Sequence, residues 1–392
     1  MESKTKNVNK NKTICQKCQK NSSKVYNRNK FLCLDCFNEI IIHRFKANLR
    51  TCCKIRHEDY ILVCISGGNF SMSMLEMFKQ SFDESKSNKK LFFKLKVLYI
   101  EDSILLSDKE KIISTRALNK KIIEQILSNY KFEYQIINLE KILEINNIGI
   151  NFDNNETDMN LIEKYLKIYK KIPNRGGFRK KYINVTIRNL IFFYAIKNNF
   201  SKIFFGINGQ GIANSNFYDI ITGNGKDIKH NTSYVDNSFL NGNIQIYRPL
   251  KDFFNKEILY FNHFNKVKII YPSYKDEKLV VILSNFFEGL QNLKLNTVPS
   301  VINTSDKVVE YKNENGAICK FCLSNIDKNK NLLEFGLNSD LNNQECILNK
   351  ELCYGCRRLF SEIIQEYFRE NKTEKVENDI NDILNIFKIL YN

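Results

Sequence analysis

A chain of 392 residues, 43% hydrophobic and 12% aromatic, has apolar material for an α/β core with smaller attached modules, about two to three domains by length. A formal charge of +17 favours polyanionic partners, and no uncharged apolar run approaches the roughly 20 residues of a helical membrane span. The polar start lacks the apolar core of a secretory signal, so a reducing cytosol is expected, where twelve cysteines suggest metal rather than disulfides.

Residues 1–12, MESKTKNVNKNK, are expected to form a disordered basic leader, and residues 13–57 a zinc knuckle with a basic helix. Residues 1–58 hold fourteen Lys and Arg against four Asp and Glu, a density that attracts polyanions through counterion release. Cys15-Gln16-Lys17-Cys18 and Cys33-Leu34-Asp35-Cys36 are pairs separated by fourteen residues. Each CxxC turn aims two thiolates at one cation, and two turns complete a closed tetrahedral site. Lys17, Lys20, Lys24 and Arg28 lie nearby in sequence, and positive charge favours the thiolate.

Residues 58–300 read as an α/β domain. Tyr60–Ile65 is an apolar strand, followed by a helix over residues 71–80, a strand over 93–100, a helix over 107–129 and a strand over 133–139. Residues 145–160 read as a loop, 184–198 as a helix and 202–206 as a strand. This alternation predicts a parallel sheet with helices on both faces and ligands bound where strands run into loops.

Between the first strand and its helix stands Ser66-Gly67-Gly68-Asn69-Phe70-Ser71. Glycines let backbone N–H groups approach an anion, serines donate hydrogen bonds, and the helix N-terminus adds favourable potential. Ser66, Gly67, Gly68 and Ser71 are therefore the candidate nucleotide cradle. Phe70 occupies the place where a hydrolysing loop would carry a polar or acidic group. Residues 172–182 set Arg175, Arg179, Lys180 and Lys181 among glycines and aromatics, which suits phosphates and stacked bases; an ordinary solvated loop before a helix is the competing reading. Arg188, one turn into the helix that follows, is expected to pair with an acid or a phosphate. Cys64 reads as a small core residue, and the neighbours Cys52 and Cys53 as poor candidates for a spaced redox pair.

Residues 301–392 are expected to be a second zinc-binding module with helices. Cys319-Lys320-Phe321-Cys322 and Cys353-Tyr354-Gly355-Cys356 are separated by thirty residues, with Cys346 as a substitute ligand or a bystander. Ile380, Ile383, Leu384, Phe387 and Tyr391 have helical spacing, suited to packing on this module or to meeting a partner.

The order of parts, a basic knuckle ending in Cys36-Phe37, then Phe45-Lys46, then strand, Ser-Gly-Gly turn and helix, resembles the cytosolic tRNA wobble-uridine 2-thiolation proteins. These are PP-loop (N-type ATP pyrophosphatase) proteins. Tyr99-Ile100-Glu101-Asp102 and the block Tyr247-Arg248-Pro249-Leu250-Lys251-Asp252 with Lys256-Glu257-Ile258 are similar to that group. The endings CKFCL and LCYGCRRLF are similar to the cytoplasmic tRNA 2-thiolation protein 2 family, the partner subunit, and the likeness spans residues 15–360. Two departures agree with that choice. Residues 66–71 differ from the group's SGGxDS, and residues 205–210 lack the histidine and aspartates of the catalytic GHNxDD pattern.

The resemblance implies an α/β PP-loop (adenine nucleotide alpha-hydrolase-like) sheet flanked by N- and C-terminal four-cysteine zinc modules, with about two structural zinc ions. It implies a non-catalytic subunit that forms a heterodimer with the catalytic one and serves the tRNAs for Lys, Glu and Gln. Lys17, Arg28, Arg175, Arg179, Lys180 and Lys181 would hold tRNA. ATP would activate the uridine on the partner, and a ubiquitin-like carrier would bring sulfur through the complex. An autonomous ATP-dependent tRNA sulfurtransferase and a zinc-ribbon RNA-binding protein outside thiolation are the alternatives.

Overall fold

A computed structural model describes residues 14–82, 93–144, 152, 157–270, 277–293, 296–308, 318–326 and 352–370. The basic leader, Cys346, the residues 380–391 and most of the expected loop 145–160 lie outside the described residues.

The central sheet follows from its apolar runs. Strands buried on both faces need hydrophobic side chains at every position. In β3 (Tyr60–Ile65), Ile61, Val63 and Ile65 enter one core, while Leu62 and Cys64 enter the other. It pairs in parallel with β4 (Lys94–Glu101) and β6 (Lys202–Phe205), so that Cys64 lies between Leu98 and Phe205. With β5 (Glu133–Asn138), β7 (Val235–Phe239) and β8 (Ile244–Tyr247) the order is β5-β4-β3-β6-β8-β7, and only β7 at the edge runs antiparallel. The strands β7 and β8 were not expected from the sequence: β7 carries Asp, Asn and Ser at its centre, and β8 is only four residues long.

Helices cover both faces. On one lie α1 (Leu34–Thr51), α2 (Asn69–Phe82) and α8 (Asn255–Asn265); on the other lie α4 (Met159–Lys170) and α5 (Phe178–Lys197). The helix α3 (Lys109–Ser128) connects β4 to β5, and α6 (Gly209–Ile221) leaves β6 towards the short α7 (Ile228–Thr232). Helices α9 (Lys278–Leu293) and α10 (Thr297–Asp306) pack against α6. No described helix is long and apolar enough to cross a membrane.

The four-cysteine modules are built into this frame. A hairpin of β1 (Val25–Asn27) and β2 (Lys30–Leu32) leads into α1, whose Phe37, Ile41, Phe45 and Leu49 recur every fourth residue and are buried. Phe45 meets Phe78 of α2 edge-on at 5.0 Å. At the other end, Phe321 and the helix α11 (Tyr354–Glu370), through Leu359, Phe360 and Ile363, join the core formed by α4 and α5.

Helix α5 begins six residues before its expected start. Gly177, at φ +82°, turns the chain into it, so Phe178 to Lys181 form a first helical turn rather than a loop. The helix α4 likewise starts inside the segment read as a loop, with the Asp158 carboxylate accepting from the Asn160 and Leu161 N–H groups. An N-cap of this kind satisfies helix donors that otherwise lack partners.

Candidate functional site

The Ser-Gly-Gly turn lies at the carboxyl end of β3. Gly67 has φ +80°, a conformation that favours glycine, and its carbonyl accepts from the Ile270 N–H at 2.9 Å. The Ser66 N–H donates to Ser71 Oγ at 3.2 Å, and Ser71 Oγ donates to the Gly68 carbonyl at 3.2 Å. Gly206, at the end of β6, presses against this turn: a Cβ there would stand 2.5 Å from Ser71 Cα and 2.8 Å from its nitrogen. Asn262 of α8 donates to the Asn69 carbonyl at 3.1 Å. These contacts hold Ser66, Gly67, Gly68 and Ser71 in one tight turn.

Ser66 and Ser71 open on a cavity of about 460 Å³ at the carboxyl ends of the parallel strands. Its floor includes Cys64 and Gly206, and its polar wall Asp102, Asp219, Asp227, Arg188 and Arg248. Burial, then the charge of Glu101, pushes the Asp102 carboxyl up to about 7. Burial, then Asp227, raises Asp219 to about 7 as well, and burial raises Asp227 to about 6. Glu101 does not face this space. Its carboxylate accepts from Arg116 Nε at 2.9 Å and from Ser103, while the same guanidinium holds Glu140 at 2.7 and 3.0 Å. Asp219 and Asp227 carried no sequence signal. They lie eight residues apart, and only the path of α6 and α7 brings them to the cavity.

Both cysteine sets converge. Within each of the groups Cys15, Cys18, Cys33, Cys36 and Cys319, Cys322, Cys353, Cys356 the sulfur atoms lie within 4.8 Å of one another. Four thiolate donors at that spacing suit a tetrahedral metal with no open position. The Cys353 N–H donates to Cys319 Sγ at 3.3 Å. Desolvation of the partly exposed Lys226 disfavours its charge, yet Asp227 and the sulfurs of Cys353, Cys322 and Cys319 outweigh this and hold its pKa above the ordinary value. A cation there offsets the excess negative charge of a four-thiolate site. Arg188 donates to the Cys322 carbonyl at 2.9 Å, and Cys322 itself lines the cavity. The C-terminal four-cysteine group is thus part of the cavity wall.

The residues expected to hold RNA are dispersed. Lys181 is buried and its ammonium donates to the Thr222 carbonyl at 3.3 Å, to Asn224 Oδ1 at 3.1 Å and to the Gly355 carbonyl. It therefore ties α5 to α6 and α11 and presents no surface charge, because the helical turn at 178–181 points it inwards. Arg179 donates to the Ile172 carbonyl at 2.8 Å and lies over the Tyr169 ring. Arg175 stays half-exposed beside Glu362, and Lys17 pairs with Glu39 at 2.7 Å. Arg28 reaches Glu257 at 2.9 Å, and Arg44 grips the same carboxylate with two nitrogens at 3.1 and 2.7 Å. Asn48 donates to the Pro249 carbonyl and to Asp252. The block from Tyr247 to Ile258 is thus the mooring of the N-terminal knuckle, a role hidden in its sequence.

A mostly parallel sheet with a Ser-Gly-Gly turn ending its third strand, a cavity beside that turn and helices on both faces define an α/β protein of the PP-loop class. The solved U34-tRNA thiolase NcsA from Methanococcus maripaludis, with its 4Fe–4S cluster, shares this fold at a TM-score of 0.57 and 15% identity, over 78% of this chain and 91% of that one. No family model matches the chain. Within the class, the chain is homologous to cytoplasmic tRNA 2-thiolation protein 2. That of Danio rerio is 22% identical over 340 residues, 75% of this chain and 67% of the relative. That of Drosophila erecta is 23% identical over 380 residues, 89% of this chain and 90% of the relative.

Proposed function

We propose that the chain is a subunit of the cytoplasmic tRNA 2-thiolation apparatus, the non-catalytic partner that binds tRNA while a second subunit adenylates the wobble uridine and transfers sulfur. One observation carries the assignment of roles. Of the eleven described cysteines, eight belong to the two closed four-sulfur groups. Of the other three, Cys52 is partly exposed at the end of α1 and does not line the cavity, Cys53 is buried and its thiol pushed up to about 12, and burial likewise raises Cys64 on the cavity floor. A sulfur carrier at this cavity needs an accessible thiolate near a second thiol that resolves its persulfide; Cys64 is buried there without a second free thiol, and Cys52 and Cys53 lie outside the cavity lining. Phe70 in the turn supplies no carboxylate for a metal-bound nucleotide. Ser66, Gly67, Gly68 and Ser71 form an anion cradle that this chain keeps as part of its frame.

In this reading zinc fills both cysteine groups as a structural ion, and Arg175, Lys180 and Lys17 contribute charge to the tRNA-facing surface. A ubiquitin-like sulfur carrier docks on the assembled heterodimer. One feature favours a second reading, an active site in this chain itself: Asp102 and Asp219 titrate near neutrality beside the turn, and perturbed acids cluster at catalytic sites. Three measurements separate the two. The chain is expected to co-purify with a catalytic thiolation subunit, its deletion to remove 2-thiouridine from the tRNAs for Lys, Glu and Gln by nucleoside mass spectrometry, and the chain alone to release no pyrophosphate from ATP with tRNA. Pyrophosphate release and thiolation by the isolated chain would establish the second reading instead.

A further inference from the structure

A second crevice, of about 410 Å³, opens at the carboxyl ends of β6 and β8, between the start of α6, the loop after β8 and α10. In α/β sheets ligands bind at this end of the strands, and the volume falls within the roughly 300–1,000 Å³ of small-ligand pockets. Its charges are matched. Lys251 lies 3.0 Å from Asp306, and Arg28 is held by Glu257. An anion or a cation entering here would meet no uncompensated partner.

What remains is aromatic and amide in character. The rings of Tyr234 and Phe254 line the space, each with one cation near it, Lys251 at 5.1 Å and Arg28 at 4.9 Å from the ring centroids. Gln210, the second residue of α6, is 8% exposed, lines the crevice and makes no side-chain hydrogen bond among the described residues. Its amide nitrogen and oxygen are not sealed from solvent and stay open to the crevice. By contrast, Asn208 beside it is satisfied by the Phe253 carbonyl and Asn255. A primary amide offers one acceptor and two donors in a plane, the complement of a ligand that carries a donor and an acceptor side by side.

We propose that this crevice takes one unstacked nucleobase, with the Gln210 amide on its hydrogen-bonding edge and Tyr234 and Phe254 against its ring. Extruded bases of single-stranded RNA are recognised by this combination of stacking and edge contacts. The proposal deepens the RNA-binding reading above and rests on it. It places a base-reading site away from the cavity beside the Ser-Gly-Gly turn.

Photo-crosslinking of the full, metal-loaded chain tests it, with two probes: an RNA hairpin carrying 4-thiouridine in its loop, and 4-thiouridine monophosphate as a free nucleotide. Crosslinks are expected on peptides containing residues 208–212 or 251–255. Gln210→Leu removes the amide, and Asn303→Trp, at an exposed position lining the crevice, narrows its mouth. Each is expected to lower crosslinking about tenfold, while overall RNA affinity, dominated by phosphates, falls far less. Crosslinks from either probe that both variants abolish support the site and identify its source as RNA or free nucleotide. RNA that binds normally but crosslinks only elsewhere, or equally in Asn303→Trp, overturns this proposal and leaves the RNA-binding reading standing. Failure to bind RNA at all, with no crosslink from the monophosphate, overturns both. Asn303→Trp decides the matter if Gln210→Leu does not fold.

Discussion

Glu257 shows how one side chain can hold two parts of a protein together. Its carboxylate is 2% exposed and receives Arg44, Arg28 and the Phe254 N–H. Burial pushes its pKa up, but hydrogen bonds and charge from Arg44, then Phe254 and Arg28, outweigh that and hold it below the ordinary value. A depressed carboxyl contributes stability that is complete above its unfolded pKa, about 4.3, and lost as pH falls through the folded value. Glu257→Gln should therefore cost about 3 kcal/mol at pH 7, because two guanidinium groups lose a buried partner. The deficit against the unaltered chain should shrink below about pH 4. Thermal unfolding at both pH values checks this, and equal midpoints at pH 7 would refute it. In sequence, Lys256-Glu257-Ile258 was legible only as a resemblance, since a glutamate on a helix is ordinarily solvated.

At the scale of elements, the first turn of α5 separates structural charge from surface charge. Arg175 precedes the helix and stays half-exposed, whereas Lys181 lies on its buried side with three carbonyl acceptors. A cluster of basic residues looks uniform in sequence, but a helical turn sends its members in different directions. Lys181→Met is expected to destabilise the chain by about 2–3 kcal/mol, since its acceptors lose their donor, with no change in the salt dependence of RNA binding. Arg175→Ala combined with Lys180→Ala should leave stability nearly unchanged. It should reduce the slope of log affinity against log salt by about 1.5, at close to one unit per phosphate contact. Denaturant titration and salt-dependent binding assays measure the two effects separately. The reverse pattern would return Lys181 to the RNA surface.

For the whole molecule, the cysteine modules and the sheet share their hydrophobic cores. The N-terminal cysteines share a core with α2 and α8, and the C-terminal cysteines share the opposite core with α4 and α5. Metal binding to such sites is coupled to folding, so its loss should propagate beyond the cysteines. Elemental analysis of chain purified without chelator should give about two zinc ions per molecule, and Cys322→Ser about one. Chelation should abolish the tertiary aromatic signal together with the metal. A chain that releases both ions and keeps that signal would show the modules to be independent of the sheet.

Local chemistry made much of this legible without coordinates. The paired CxxC spacings announced two four-sulfur sites, because the ligands of one turn are neighbours in sequence. The apolar run before Ser-Gly-Gly announced a buried strand ending in a glycine turn, because strand burial and turn geometry are short-range. Other features depended on which distant segments meet: Asp102, Asp219 and Asp227 around one cavity, Lys226 beside the C-terminal sulfurs, Glu257 beneath the N-terminal knuckle. A charged residue's role is set by what its burial brings within a few ångströms, and no periodicity encodes that. The tertiary structure alone decided it, since only the packed sheet closes distances across 100 or more residues of chain.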